Sequence, residues 1–288
     1  MADRLHLRIA LGKHPHVAPL RDGRATSSRL QLEFVEFDPL PHAFRQMVRS
    51  ADLDVSEMAV ITHLLAHRFA KPIVGLAIPL WSRLPHTNLI CRADSAMSGP
   101  SDLSGTRIGV RSYAQTSGVW VRGILAEDYG VDLESILWGT MEDAHLAEYV
   151  DPPNTRRYPP QPPLRDLLLQ GEFTAIMGER VVDPNDVRPV IPSPDAAAHD
   201  WIARTGIKPI NHTLAIRSEL VEAHPWLPGE LLTLFRDAAK IADEADAFTP
   251  SSYGIETCHD SLDRALRYAF EQAITPRRYA VEELYLPL

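Results

Sequence analysis

The sequence predicts a two-lobed α/β fold with an inter-lobe cleft and a helical carboxyl-terminal region. Three observations predict it. Apolar strand patterns alternate with helical ones from Leu5 to Phe69, and again from Asn88 to Met177. The 288 residues suit about two domains, each long enough to bury its own core. After Ile216 the pattern is helical almost to the end.

The elements follow in order. Leu5 to Leu11 alternates apolar and polar residues as a strand does, and Gly12-Lys13-His14-Pro15-His16 breaks it. Leu30 to Phe37 is a second strand and Ala43 to Ser50 a helix. Asp52 to Val55 reads as a short strand, with Ser56 capping a helix through Phe69. Ile73 to Ile78 is a buried strand ended by Pro79. This alternation implies a mostly parallel sheet.

A second unit repeats the scheme. Asn88 to Arg92 is a strand, followed by a loop of small residues. Asp102 to Val110 is a turn feeding a strand, and Thr116 or Ser117 caps a helix that Gly130 ends. Ile136 to Trp138 is a strand, and the six prolines between Asp151 and Pro163 mark an exposed loop. Leu164 to Gln170 is a helix, Phe173 to Met177 and Ile210 to Ile216 are strands, and Ser218 to Ala223, Pro225 to Ala245 and Ile255 to Ala273 are helices. Lobe one is then 1–90 with 212–288, and lobe two is 91–211. Ligands of open α/β sheets bind beyond the carboxyl ends of strands, which here face the cleft.

Composition narrows the partners. A net charge of −9 argues against nucleic acid, although 29 Lys and Arg can still form a local positive site. Two cysteines, Cys91 and Cys258, exclude a disulfide framework and a structural zinc site. Charged residues interrupt the amino-terminal apolar run, and no run of about 18 apolar residues occurs, so no signal peptide or membrane span is expected. The expectation is a cytoplasmic protein, unless a leader has been trimmed. The helical carboxyl terminus could form a homo-oligomer interface or cover lobe one.

Strand-to-helix turns supply the candidate site. His14 and His16 follow the first strand, where loop histidines reach ligands or merely face water. Ser56 and Glu57 could hold a carboxylate at a helix start, or act only as a cap and a dipole partner. Arg83 and His86 precede the first crossover, where an anion could meet them. The most informative stretch is Arg111 to Trp120. Arg111 offers a planar two-pronged donor for a carboxylate, and Thr116 and Ser117 lie at a helix start with free N–H groups. Trp120 could wall an aromatic ligand or pack beside Ile124. Glu179-Arg180 and Asn211-His212-Thr213 should border the cleft, Arg180 as a ligand contact and His212 as a working or merely buried histidine. His63 and His67, four apart, flank an apolar helix stripe without an HExxH motif, so no metal site is expected. No P-loop, GxGxxG or GxSxG motif occurs.

Several segments resemble one family. Leu53-Asp54-Val55-Ser56-Glu57-Met58 resembles its DVSE segment, and Asp102 to Val110 its DLxGxRxGV segment. Val119-Trp120-Val121-Arg122-Gly123-Ile124-Leu125, followed by Tyr129-Gly130-Val131, resembles VWxRGIL…YGV. Tyr253 to Glu256 and Phe270 to Arg278 resemble its carboxyl-terminal signature. These are the 4,5-dihydroxyphthalate decarboxylases and their relatives, built on the type 2 periplasmic-binding-protein fold. The first loop departs from the family's Y-D-H/R type, and the proline loop is unusual.

The resemblance implies decarboxylation of a hydroxylated aromatic acid with no obligatory organic cofactor. Such chemistry needs a base near the hydroxyl, an acid over the ring carbon and cations for the retained carboxylate. Arg111 and the Thr116 helix start would anchor the carboxylate with Ser56 assisting, and His86, His212 or His16 would carry the proton transfers. The competing readings are a solute-binding protein for a small carboxylate and another lyase on the same fold.

Overall fold

The computed structural model describes residues 4–50, 52–178, 183–242 and 252–288. The chain divides into two units. The first is Met1–Ser82 with Ile210–Asp263 and Tyr279–Leu288, and the second is Arg83–Pro209 with Arg264–Arg278.

The first unit is built on a five-stranded sheet, in the order Leu30–Phe34, Leu5–Ala10, Val55–Ala59, His212–Arg217, Ile73–Trp81. The first three strands are parallel. His212–Arg217 enters antiparallel between the other two, so the sheet is mixed. Pro79 does not end its strand, which continues to Trp81. Proline lacks a ladder donor, and this is an edge strand whose register shifts between His212 and Leu214, a place where proline is tolerated.

The expected helix start at Ser56 is also corrected. Ser56 and Glu57 lie inside the strand Val55–Ala59, and the helix is Val60–Arg68 with Ala59 at its N-cap. Helix Leu227–Ala242 buries Leu227, Leu231, Leu234, Phe235 and Ala238, an apolar stripe at helical spacing. That helix packs on the turn Pro15–Val17 and so braces the loop after the first strand.

The second unit holds a six-stranded sheet, in the order Val187–Pro189, Leu89–Arg92, Ala175–Met177, Arg107–Val110, Leu137–Thr140, Thr155–Arg157. The proline-rich stretch is therefore not wholly a loop. Thr155–Arg157 is an edge strand parallel to Leu137–Thr140, and the prolines flank it. Strand Val187–Pro189 and helix Pro194–Thr205 carried no clear sequence pattern. Helix Thr116–Tyr129 ends at Gly130, whose φ of +63° suits glycine at a left-handed cap.

The division differs from the expected one at residues 83–90 and in the segment Arg264–Arg278, which both belong to the second unit. Glu127 explains the latter. It receives Arg264 at 2.9 Å, Arg267 at 3.1 Å and the Tyr268 hydroxyl. Deeper in, Arg122 Nε donates to Gln272 Oε1 at 2.7 Å.

One buried group in the first unit sets a pH dependence. His63 is wholly buried, edge-on to Tyr285 at 5.0 Å, and neither ring nitrogen has a hydrogen-bond partner among the described residues. Burial, assisted by His67, pushes it down from 6.5 to about 3. Below pH 6.5 the unfolded chain takes up a proton that the folded chain refuses. This group should therefore cost about 1.4 kcal/mol of stability per pH unit as pH falls from 6.5 toward 3. Urea midpoints measured between pH 6.5 and 4.5 should fall less steeply for His63→Leu than for wild type.

Among the described residues no helix is long and apolar enough to cross a membrane.

Candidate active site

The sheet of the first unit places a carboxylate where water cannot reach it. Side chains alternate along a strand, so Val55, Glu57 and Ala59 share one face. Opposite, Leu214 pairs with Glu57 and His212 with Ala59. His212 is thus a diagonal cross-strand neighbour of Glu57, within reach of a long side chain. Its Nδ1 lies 2.6 Å from Glu57 Oε1.

The loop after the first strand closes the other side. The Gly12 N–H donates to Glu57 Oε2 at 2.8 Å. His14 Nε2 lies 2.9 Å from Oε2 and 3.1 Å from Oε1. A side chain at position 12 would not fit, because its Cβ would stand 2.5 Å from His14 Nε2 and 3.0 Å from Glu57 Oε2. His16 stacks on His14, with ring centroids 5.5 Å apart and planes 9° from parallel. Phe44 meets the His212 ring edge-on at 5.0 Å, and Trp81 leans on it at 4.7 Å.

Charge follows from these contacts. Burial alone would raise the Glu57 carboxyl. The hydrogen bonds from His14 and His212 outweigh burial and hold it well below the usual carboxylate range. An ionised carboxylate only accepts hydrogen bonds, so His14 Nε2 and His212 Nδ1 carry the protons. The opposite nitrogens, His14 Nδ1 and His212 Nε2, make no hydrogen bond among the described residues. The His14 side chain is 18% exposed and that of His212 14%, whereas Glu57 is wholly buried.

In the second unit Arg111 follows the strand Arg107–Val110, and its carbonyl accepts the N–H groups of Met141 and Glu142. Its guanidinium is half-exposed and 3.8 Å from the Glu142 carboxylate. Thr116 and Ser117, both buried, open the 14-residue helix Thr116–Tyr129. Gln115 at the N-cap makes no side-chain capping bond.

No family model matches the chain. Two curated relatives do. The 4,5-dihydroxyphthalate decarboxylase of Comamonas testosteroni is 32% identical over 252 residues, covering 83% of this chain and 76% of the relative. The chain belongs to the 4,5-dihydroxyphthalate decarboxylase family. A second family member, from Pseudomonas putida, is 29% identical over 212 residues, covering 69% of this chain and 82% of the relative. Among solved structures, the periplasmic sulfonate-binding protein SsuA of Methylobacillus flagellatus KT aligns with a TM-score of 0.62 at 14% identity. That match covers 100% of this chain and 93% of the other, and it establishes the two-lobed periplasmic-binding-protein fold for this decarboxylase-family chain.

The expected site residues fall unevenly on this decarboxylase-family frame. His14, His16, Glu57 and His212 come together in the first unit. Ser56 joins the same strand but not as a cap: its hydroxyl is buried and donates to the Glu57 carbonyl at 2.7 Å. Trp120 is fully buried in the second unit, edge-on to Trp201 and Tyr268, so its ring packs the core and walls no ligand. His86 is also buried there, 6.2 Å from the Trp201 ring. Burial lowers its pKa, with Arg204 adding to that effect and Asp128 opposing it. Arg83, beside it in the second unit, is half-buried. Arg180 and its neighbour Glu179 lie outside the described residues.

Sequence reasoning missed Gly12, Phe44 and Trp81. The alternation of Val55, Glu57 and Ala59 was the available signal that Glu57 belongs to a strand.

Proposed function

We propose that this chain decarboxylates a hydroxylated phthalate, 4,5-dihydroxyphthalate or a close analogue, releasing CO2 by protonation of the ring. The observation that carries the reading is membership of the decarboxylase family, joined to a histidine pair held on one buried carboxylate.

The chemistry asks for a base at the hydroxyl para to the departing carboxylate. His212 Nε2 is that base. Its other nitrogen is committed to Glu57, which fixes the ring and stabilises the imidazolium that forms. As the phenol O–H breaks, its electron pair flows into the ring and enriches the carbon that bears the carboxylate. That carbon takes a proton from solvent, the bond to the carboxylate breaks as CO2 leaves, and its pair restores aromaticity and the phenoxide, which takes its proton back from His212. One proton from water is consumed in all. His16, stacked behind His14, holds that ring in place rather than touching the reacting atoms.

Arg111 and the helix start at Thr116 and Ser117 take the carboxylate that stays on the ring. Arg111→Ala should raise KM by about tenfold or more while kcat falls less, as expected for a group that binds ground and transition states alike. Unchanged steady-state kinetics would remove Arg111 from this role. The proposal includes a cytoplasmic home, in keeping with two free and buried cysteines.

A further inference from the structure

We infer that the Glu57 cluster is the receptor for the hydroxyl edge of the substrate, a pair of neighbouring phenolic hydroxyls, and that Glu57 is the positioning residue that gives it this selectivity. The identity of the substrate rests on the decarboxylase reading, while the chemistry of the receptor rests on the cluster alone.

Glu57 has its lone pairs directed inward. Oε1 faces His212 Nδ1 and His14 Nε2, and Oε2 faces the Gly12 N–H and His14 Nε2. The cluster therefore shows the ligand no carboxylate oxygen. It shows two ring nitrogens with lone pairs, His14 Nδ1 and His212 Nε2, which want donors. A substrate carboxylate has no proton to offer and would meet a buried negative charge just behind the rings. A phenolic hydroxyl has that proton. When the proton moves onto a histidine, the imidazolium lies against Glu57, so the charge it gains is compensated within about 3 Å.

Two acceptors fixed on one carboxylate can each take one phenolic hydroxyl. The surroundings suit a flat ring as well. His16 backs His14, while Phe44 and Trp81 hold His212, so neither imidazole turns freely. Gly12 completes the arrangement, because only a residue without a side chain lets His14 and the backbone N–H reach Glu57 together.

The experiment follows the imidazole nitrogens of the full chain by 15N NMR, with catechol and with phthalate as separate probes. The free protein should show His14 protonated on Nε2 and His212 on Nδ1. Catechol should shift the His14 and His212 signals toward the protonated form, and phthalate should leave both unshifted. In Glu57→Gln the two tautomers should change and catechol should bind at least about tenfold more weakly, with phthalate affinity within about twofold of wild type. Wild-type catechol affinity in Glu57→Gln, or a phthalate response at both histidines without a catechol one, overturns the proposal. If Glu57→Gln does not fold, as its melting curve would show, the two probes on wild type decide alone. Catechol binding at the histidines without turnover of 4,5-dihydroxyphthalate would uphold this receptor and sink the decarboxylase reading instead.

Discussion

His212→Asn is expected to lower kcat by about 10²- to 10⁴-fold with little change in folding stability. The asparagine amide N–H can replace His212 Nδ1 as donor to Glu57, so the buried carboxylate keeps a partner. What disappears is the basic nitrogen on the far side of the ring. Substrate affinity, measured by calorimetry under conditions without turnover, should fall by about tenfold or less, because the hydroxyl edge loses one of its two acceptors. A loss of binding as large as the loss of kcat would mean that His212 only holds the substrate and does not take its proton.

Arg122→Ala should cost about 3–5 kcal/mol of stability, the largest effect expected of a residue remote from the Glu57 cluster. Arg122 is fully buried on helix Thr116–Tyr129. Its Nε donates to Gln272 Oε1 at 2.7 Å and a terminal nitrogen donates to the Tyr113 carbonyl at 2.6 Å. Its guanidinium also lies 4.0 Å from the Tyr113 ring centroid. Truncation leaves both acceptors buried without this donor and opens a cavity. Arg122→Met fills most of the volume and should cost less than the alanine variant, because only the polar part is lost. Chemical denaturation of both variants separates the two contributions. Equal losses would show that hydrogen bonding, not packing, makes the whole difference.

Much of the fold was legible because its signals are local. The period-two strands and the helix closed by Gly130 follow from backbone geometry that a sequence shows directly. Val55–Ala59 shows where this stops. Ser-Glu ahead of an apolar run has the pattern of a helix start, and tertiary contacts override it. Glu57 is tolerated in a buried strand only because His14, His212 and Gly12 supply its hydrogen bonds, and all three partners come from distant parts of the chain. The segment Arg264–Arg278 was hidden for the same reason. Its amphipathic helical pattern shows that it packs on something, whereas Glu127 and Arg122 determine on what. Trp120 illustrates the opposite error: beside a candidate anion site, an aromatic residue reads as a ligand wall although its neighbours Trp201 and Tyr268 make it core.

The central claim is that this chain removes one carboxylate from a dihydroxyphthalate by protonating the ring. Incubating the purified protein with 4,5-dihydroxyphthalate in D2O and following the products by mass spectrometry and proton NMR tests it most directly. The account predicts CO2 and 3,4-dihydroxybenzoate carrying one deuterium on the carbon that lost its carboxylate. Recovery of intact substrate, from protein that binds it and is folded, would contradict the account.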